Sequence, residues 1–248
     1  MLKERIDILL TERGLADSRT KAQALVMAGV VLVNDRRVEK PSEKVASDAV
    51  IRLKEAATMR YVGRGGLKLE AALTHFGIEP KGWNCLDIGS STGGFTDCLL
   101  QNGAARVVAV DSGTNQLDWR LRSDERVEVL ENTNAREITL AELGGTAFDL
   151  IVMDVSFISA RKILPVFPTL LKPDGQAVVL IKPQFEVGKG EVGKGGIVRE
   201  AEKHERVVKE VNSCAESLGF RIIGTIASPI LGAEGNMEFL SCYLLDDA

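Results

Sequence analysis

Two hydrophobic rhythms alternate along the chain. Near its start, Ile6, Leu9 and Leu10 recur at helical spacing as far as Leu15, with Gly14 able to close the helix. Ser18 is a suitable N-cap for a second helix that carries Ala22, Leu25 and Val26 on one face and stops at Gly29. Residues 30–33 then read as a strand, Asn34-Asp35 as a turn, and residues 50–53 as a further strand. Beyond residue 60 the pattern changes. A helix is expected over residues 66–75, followed by short apolar runs at 85–88, 107–110, 127–130, 150–153, 177–181, 220–227 and 239–245. The first five runs alternate with helical stretches, which implies a mainly parallel sheet. Only residues 228–238 separate the last two, too few for a helical crossover, so they should form an antiparallel hairpin. The expected fold is α/β: a Rossmann-like seven-stranded sheet with an antiparallel last strand, preceded by a small α+β domain. Its domains would be residues 1–59 and 60–248, meeting near Met59-Arg60-Tyr61-Val62 with little linker between them.

With 248 residues, 45% hydrophobic and 27% charged, the chain has the composition of a soluble globular protein with a sizeable core. The net charge of −4 argues against a wholly basic nucleic-acid binder, but charge is spread unevenly. Residues 1–60 hold 12 Lys/Arg against 9 Asp/Glu, and the remaining 188 hold 19 against 26. A mildly basic head on an acidic body suits a tethered nucleic-acid module. Cys85, Cys98, Cys214 and Cys242 form no C-x-x-C pair and sit in apolar contexts, which reads as reduced cysteines in a cytoplasmic protein with no metal site. The charged start shows no signal peptide, and no apolar run approaches the roughly 20 residues of a membrane helix.

Residues 86–95, Leu-Asp-Ile-Gly-Ser-Ser-Thr-Gly-Gly-Phe, read as a strand passing through a glycine-rich turn into a helix. Glycines let a backbone approach a ligand, and a helix start offers free N–H groups. The loop is not G-x-G-x-x-G, the fingerprint that cradles a dinucleotide pyrophosphate. Together with the closing hairpin, that points away from dehydrogenases and toward the plan of S-adenosylmethionine methyltransferases. Gly89, Ser90, Gly93, Gly94, Phe95 and Thr96 are the candidate cofactor residues of this turn. Asp111 ends the second strand, 22 positions after Gly89, where a carboxylate can accept both hydroxyls of a ribose. Asn134 falls after the third strand, where adenine would be recognised.

Residues at the carboxyl ends of parallel strands line a ligand crevice. Asp154 ends the fourth strand and Lys182 the fifth; Glu238 opens the reversed seventh, so topology places all three on one rim. Lys68 lies early in the helix before the sheet. Residues 188–194 fit G-x-x-x-x-G-K, but Gly195 stands where a phosphate-binding loop needs Ser or Thr. A glycine loop with Lys189, Lys194 and Arg199 closing over a substrate is the preferred reading of that segment. His75 and His204 are isolated and read as helix-surface residues.

Two resemblances follow from these residues. The order of elements in residues 4–53, with Arg-Thr-Lys-Ala opening the second helix, resembles the small RNA-binding module shared by ribosomal protein S-four, pseudouridine synthases and tyrosyl-tRNA synthetases. It implies phosphate contacts from Arg5, Arg19, Lys21, Arg36 and Arg37. The order Lys68, Asp154, Lys182, Glu238 is similar to the catalytic tetrad of FtsJ-type ribose 2′-O-methyltransferases. With Gly-Arg-Gly-Gly-Leu-Lys, Asp-Val-Ser-Phe-Ile-Ser and Lys-Pro-Gln-Phe-Glu, the whole chain resembles the TlyA/haemolysin-A-like ribosomal RNA methyltransferases. Thr92 stands where the FtsJ pattern has proline before its glycine pair, as in the TlyA-like branch. The resemblance implies S-adenosylmethionine as methyl donor, with Asp154 also at the cofactor, and ribosomal RNA as partner. Lys182 would orient and deprotonate the 2′-hydroxyl as a neutral amine, a form that desolvation and a neighbouring Lys68 charge favour. Asp154 and Glu238 would hold the lysines. The alternatives are an RNA-binding or ribosome-associated factor with a vestigial methyltransferase fold, and a haemolysin.

Overall fold

The structure, a computed structural model, describes residues 3–16, 18–27, 29–53, 60–188, 190–232 and 235–246. The chain divides into two compact units, Met1–Arg60 and Tyr61–Ala248. Of the expected boundary, Met59 lies outside the described residues, as does Lys189 of the glycine loop.

The first unit runs β1 (Lys3–Arg5), α1 (Ile6–Glu12), α2 (Arg19–Met27), β2 (Val31–Val33), β3 (Arg36–Arg37), β4 (Lys44–Ala46) and β5 (Ile51–Leu53). β2 lies between β3 and β5, and β1 pairs antiparallel with β4. Ile6, Leu9, Leu10, Ala22, Val26 and Val31 make its core. Asn34 and Asp35 both have positive φ (48° and 64°) and turn β2 tightly into β3, a conformation their short polar side chains tolerate. Ser18 caps α2 through its hydroxyl, which accepts from the Lys21 N–H at 3.2 Å. Strands β1, β3 and β4 have no counterpart in the sequence reading; two or three residues are too few for a period to show.

The second unit begins with α3 (Gly65–Phe76), β6 (Asn84–Ile88), α4 (Gly94–Gln101), β7 (Arg106–Val110), α5 (Trp119–Arg122), β8 (Val127–Leu130) and β9 (Phe148–Met153). It continues with α6 (Phe167–Leu170), β10 (Leu171–Ile181), α7 (Pro183–Glu186), α8 (Ala201–Ser217), β11 (Phe220–Ala227) and β12 (Phe239–Leu245). The seven-stranded sheet has the order β11-β12-β10-β9-β6-β7-β8. β12 is antiparallel to both neighbours, and β10, β9, β6, β7 and β8 pair in parallel. The period-two alternation of a sheet splits its side chains between two apolar layers. Leu86, Ile88, Ile151 and Met153 face one, with α8. Cys85, Leu150 and Val152 face the other, with Leu69, Leu73, Cys98 and Leu99 of α3 and α4.

The expected alternation of strand and helix is only partly realised. α5 is a single turn, turns join β8 to β9, and two 3-10 turns precede α6 between β9 and β10. Ile138, Leu143 and Ile163 from loops and turns, Leu164 from a 3-10 turn and Phe167 from the single-turn α6 fill the layer there, so no long helical period was needed to cover that face. His204 is also corrected: it is buried on the inner face of α8 with Val207 and Val211, and its Nε2 lies 2.9 Å from the Val198 carbonyl. Cys85, Cys98 and Cys242 are buried, and burial pushes the Cys85 and Cys242 thiols up to about 12. Among the described residues no group of His, Cys, Asp and Glu could hold a metal ion, and no helix is long and apolar enough to cross a membrane.

Candidate active site

The site lies at the carboxyl ends of β6, β7, β9 and β10. Strand β6 delivers Gly89, whose φ of 83° suits glycine alone, and a Cβ there would meet the Asp154 carbonyl oxygen at 2.3 Å. Gly93 has φ 98° and packs on Leu121, leaving no room for a side chain. The loop between them forms the floor of two cavities. One, of about 360 Å³, is lined by Gly89, Asp111, Gln116, Asn134, Ile158 and Ile163 among others. The other, of about 250 Å³, is lined by Arg64, Lys68, Ser90, Phe95, Asp154 and Lys182 among others. Gly89, Ser91, Asp154 and Ser156 border both.

Two close ion pairs stand in this rim. Lys182 Nζ is 2.6 Å from Asp154 Oδ1 and donates to Ser156 Oγ at 2.8 Å. Lys68 Nζ donates to Glu238 Oε2 at 2.5 Å, with both side chains nearly excluded from solvent. Four residues separated by up to 170 positions thus form two neutralised pairs, each lysine held on its own carboxylate. Glu238 is fixed by the turn before β12, where a Cβ on Gly232 would strike its carboxylate.

The Asp111 carboxylate accepts from the Ser91 N–H at 2.8 Å and from the Gly113 N–H at 2.7 Å. Those bonds aim it into the larger cavity while each oxygen keeps a lone pair for a diol. Beneath the loop, Asp87 is fully buried. Its Oδ2 accepts from Thr96 Oγ1 at 2.6 Å, and its Oδ1 has no hydrogen-bond partner. Desolvation pushes its carboxyl up to about 7, opposed by the Thr96 hydrogen bonds and reinforced by Asp154 and Asp111.

The expected residues divide by this geometry. Gly89, Asp111, Asn134 and Asp154 line the larger cavity; Lys68, Ser90, Gly94, Phe95 and Lys182 line the smaller. Thr96 and Gly93 line neither: Thr96 is spent on Asp87, and Gly93 shapes the loop. In the first unit Arg5 and Arg19 are committed to Asp7, a buried carboxylate that Arg5 grips with two bonds of 2.9 Å and Arg19 with one of 3.0 Å. Arg36 and Arg37 are exposed on β3.

Sequence reasoning missed Ser156, Phe157, Arg64 and Glu186. Phe157 is 91% exposed at the rim with φ 64°, and its ring lies 5.2 Å from that of Phe185. A bulky apolar residue that is both exposed and in the left-handed region is held there by its surroundings. Glu186, at the end of α7, takes the Ala160 N–H at 2.6 Å and the Ser159 hydroxyl at 2.5 Å. It ties the segment after β9 to the segment after β10, and burial raises its carboxyl above the usual range. In sequence, Ser-Phe-Ile-Ser and Gln-Phe-Glu carried the only signal of this link, and nothing in their spacing announced it.

A match to the FtsJ-like methyltransferase model over residues 61–244 spans all but the last four residues of this unit. The chain belongs to the FtsJ-like methyltransferase family. Residues 4–51 match the S4 domain, which puts this family member's catalytic fold behind an S4 module. It is 45% identical over 237 residues to the 16S/23S rRNA (cytidine-2′-O)-methyltransferase TlyA of Mycobacterium tuberculosis, covering 96% of this chain and 88% of that one. It is 42% identical over 241 residues to hemolysin A of Brachyspira hyodysenteriae, covering 97% of this chain and 100% of that one. A solved structure from Streptococcus thermophilus is 45% identical, with a TM-score of 0.76, covering 100% of this chain and 90% of that one. The fold alone extends further, to an S-adenosylmethionine dependent methyltransferase from Mesorhizobium loti at 15% identity and a TM-score of 0.53, covering 73% of this chain and 100% of that one.

Proposed function

We propose that this FtsJ-like chain transfers a methyl group from S-adenosylmethionine to a ribose 2′-hydroxyl of ribosomal RNA. The observation that carries the reading is the pair of cavities sharing one seam: Asp154 borders both, Lys182 rests on it from the smaller cavity, and Lys68 lines that same cavity with Glu238 holding its nitrogen. The larger cavity fits the donor: the Asp111 carboxylate for a ribose diol, Asn134 for an adenine edge, and Ile158 and Ile163 as apolar wall. Gly89 keeps the floor open where any side chain would fill it.

When bound, the donor supplies a methyl group on a sulfonium, an electrophile that needs alignment more than activation. The residues of this chain do the rest. Lys182 orients the acceptor hydroxyl and stands where it can take the proton that leaves as oxygen bonds to the methyl carbon and the carbon–sulfur bond breaks. Asp154 holds that nitrogen at the seam, and Glu238 holds Lys68 in the same wall. The S4 module supplies RNA affinity through exposed Arg36 and Arg37 together with Lys21. The TlyA relatives are rRNA (cytidine-2′-O)-methyltransferases by name, which is the same substrate class.

The test is Lys182→Ala. Tritiated methyl transfer to ribosomal RNA from cells lacking the enzyme should vanish, while calorimetric affinity for S-adenosylmethionine stays within about threefold. Retained turnover overturns the assignment of Lys182. Failure of the wild-type chain to bind S-adenosylmethionine at all favours an RNA-binding factor with a vestigial fold.

A further inference from the structure

We propose that Ser156 is a positioning residue for methyl transfer, its hydroxyl fixing the rotation of the Lys182 amine so that one nitrogen valence faces the acceptor. The inference rests on the functional reading above and adds to it a residue outside the four-residue set.

Lys182 directly follows β10, and Asp154 and Ser156 directly follow β9, its parallel neighbour. The lysine stem therefore reaches across one strand spacing to two acceptors placed two residues apart. Asp154 alone would leave the terminal nitrogen free to turn about its bond to Cε. With Asp154 Oδ1 at 2.6 Å and Ser156 Oγ at 2.8 Å, two of the three N–H directions are taken. A tetrahedral nitrogen bonded to Cε then has a single direction left. Lys182, Asp154 and Ser156 all line the smaller cavity, and that free direction is the one the acceptor hydroxyl can use.

Ser156 also borders the larger cavity, so the nitrogen is pinned at the seam where methyl donor and acceptor must come within reach of each other. Its backbone position is itself secured. Two and three residues beyond its neighbour Phe157, Ser159 and Ala160 are bound by Glu186 of the segment that follows Lys182. A packing role does not account for the serine, because the residue is exposed. Among the described residues Lys182 is the hydrogen-bond partner of its hydroxyl, whose own proton remains to be donated.

The experiment compares Ser156→Ala and Ser156→Thr in the full chain, by methyl transfer to ribosomal RNA and by acetic anhydride labelling of Lys182 read by mass spectrometry. Ser156→Ala should lower kcat about tenfold, the size of one lost hydrogen bond to a charged group. KM for RNA and the calorimetric affinity for S-adenosylmethionine should stay within about twofold, and Lys182 should acetylate several-fold faster. Ser156→Thr, which keeps the hydroxyl, should restore kcat and labelling to within about threefold of the wild type. Unchanged kcat in the alanine variant, a loss expressed in KM alone, or unchanged labelling of Lys182 overturns the proposal. A wild-type chain that methylates no ribosomal RNA overturns the functional reading instead, and the labelling rates then decide by themselves whether Ser156 restrains Lys182.

Discussion

Replacing Asp87 by asparagine should remove its pH-dependent contribution to the catalytic unit's stability. Asp87 is fully buried beneath the glycine-rich loop, with one oxygen on Thr96 and the other without a partner. Its carboxyl is pushed from an ordinary 3.8 to about 7, first by desolvation and then by Asp154 and Asp111. A raised carboxyl pKa means that the folded state binds a proton the unfolded state has released. Its contribution is therefore complete below pH 3.8 and is lost as pH rises through about 7. Each pH unit in that window costs about 1.4 kcal/mol, so between pH 5 and pH 8.5 the wild type loses about 3 kcal/mol through this residue. Asparagine does not titrate. It brings its own cost, a buried amide N–H short of partners, of about 1–3 kcal/mol. That cost is the same at both pH values and cancels in the difference. Urea unfolding followed by tryptophan fluorescence reads this unit alone, because both tryptophans, Trp83 and Trp119, belong to it. The expected result is that Asp87→Asn gains about 3 kcal/mol on the wild type in going from pH 5 to pH 8.5. Parallel curves would show that Asp87 is ionised in the folded state at pH 5, and that the buried unpaired oxygen does not govern its charge.

Three further outcomes follow from the geometry. Gly89→Ala should weaken S-adenosylmethionine binding at least about tenfold by calorimetry, since a Cβ meets the Asp154 carbonyl at 2.3 Å and φ is positive. Arg5→Ala should loosen the first unit, read as faster amide exchange in α1, because Asp7 loses its two-bond partner while remaining buried. The same Asp7, whose carboxyl Arg5 holds well below the usual range, contributes stability above about pH 4 that is lost as pH falls further, and Asp7→Asn should flatten that loss. Glu186→Gln should lower Tm by several degrees and slow methyl transfer, since the Ser159 hydroxyl and the Ala160 N–H lose a charged acceptor.

The sheet was legible because parallel strands buried on both faces are written as unbroken apolar runs, and because residues 228–238 are too few to cross over. The positions of Asp154, Lys182 and Glu238 followed from strand ends, without knowledge of any side-chain angle. What could not be read was pairing. Nothing in spacing says that Lys182 rests on Asp154 while Lys68 rests on Glu238, because those choices depend on register between neighbouring strands and on the turn around Gly232. Ser156 and Glu186 were invisible for the same reason, their partners lying 25 positions away or more. Thr96 and Arg5 show the same limit from the other side. Each stands beside a ligand motif, and each side chain bonds a buried aspartate, Asp87 or Asp7, a partner that no spacing announces. Short strands such as Arg36–Arg37 leave no periodic trace, and the irregular backbone that carries Ile163 and Leu164 hides core residues behind no pattern at all.

The sheet order has a consequence for how the protein is born. β12 is made after the other six strands of its sheet, yet it is inserted between β10 and β11 and not added at an edge. While the chain is being synthesised from its N-terminus, β10 therefore presents an open ladder along Val178, Val179, Leu180 and Ile181 until residues 239–245 arrive to pair with it. An unpaired apolar edge is a template for wrong partners, including another nascent copy. The strand that closes this gap also brings Glu238 to Lys68. Closing the vulnerable edge and completing the charged wall of the site are thus one event, and a chain halted before that strand would be both inactive and adhesive.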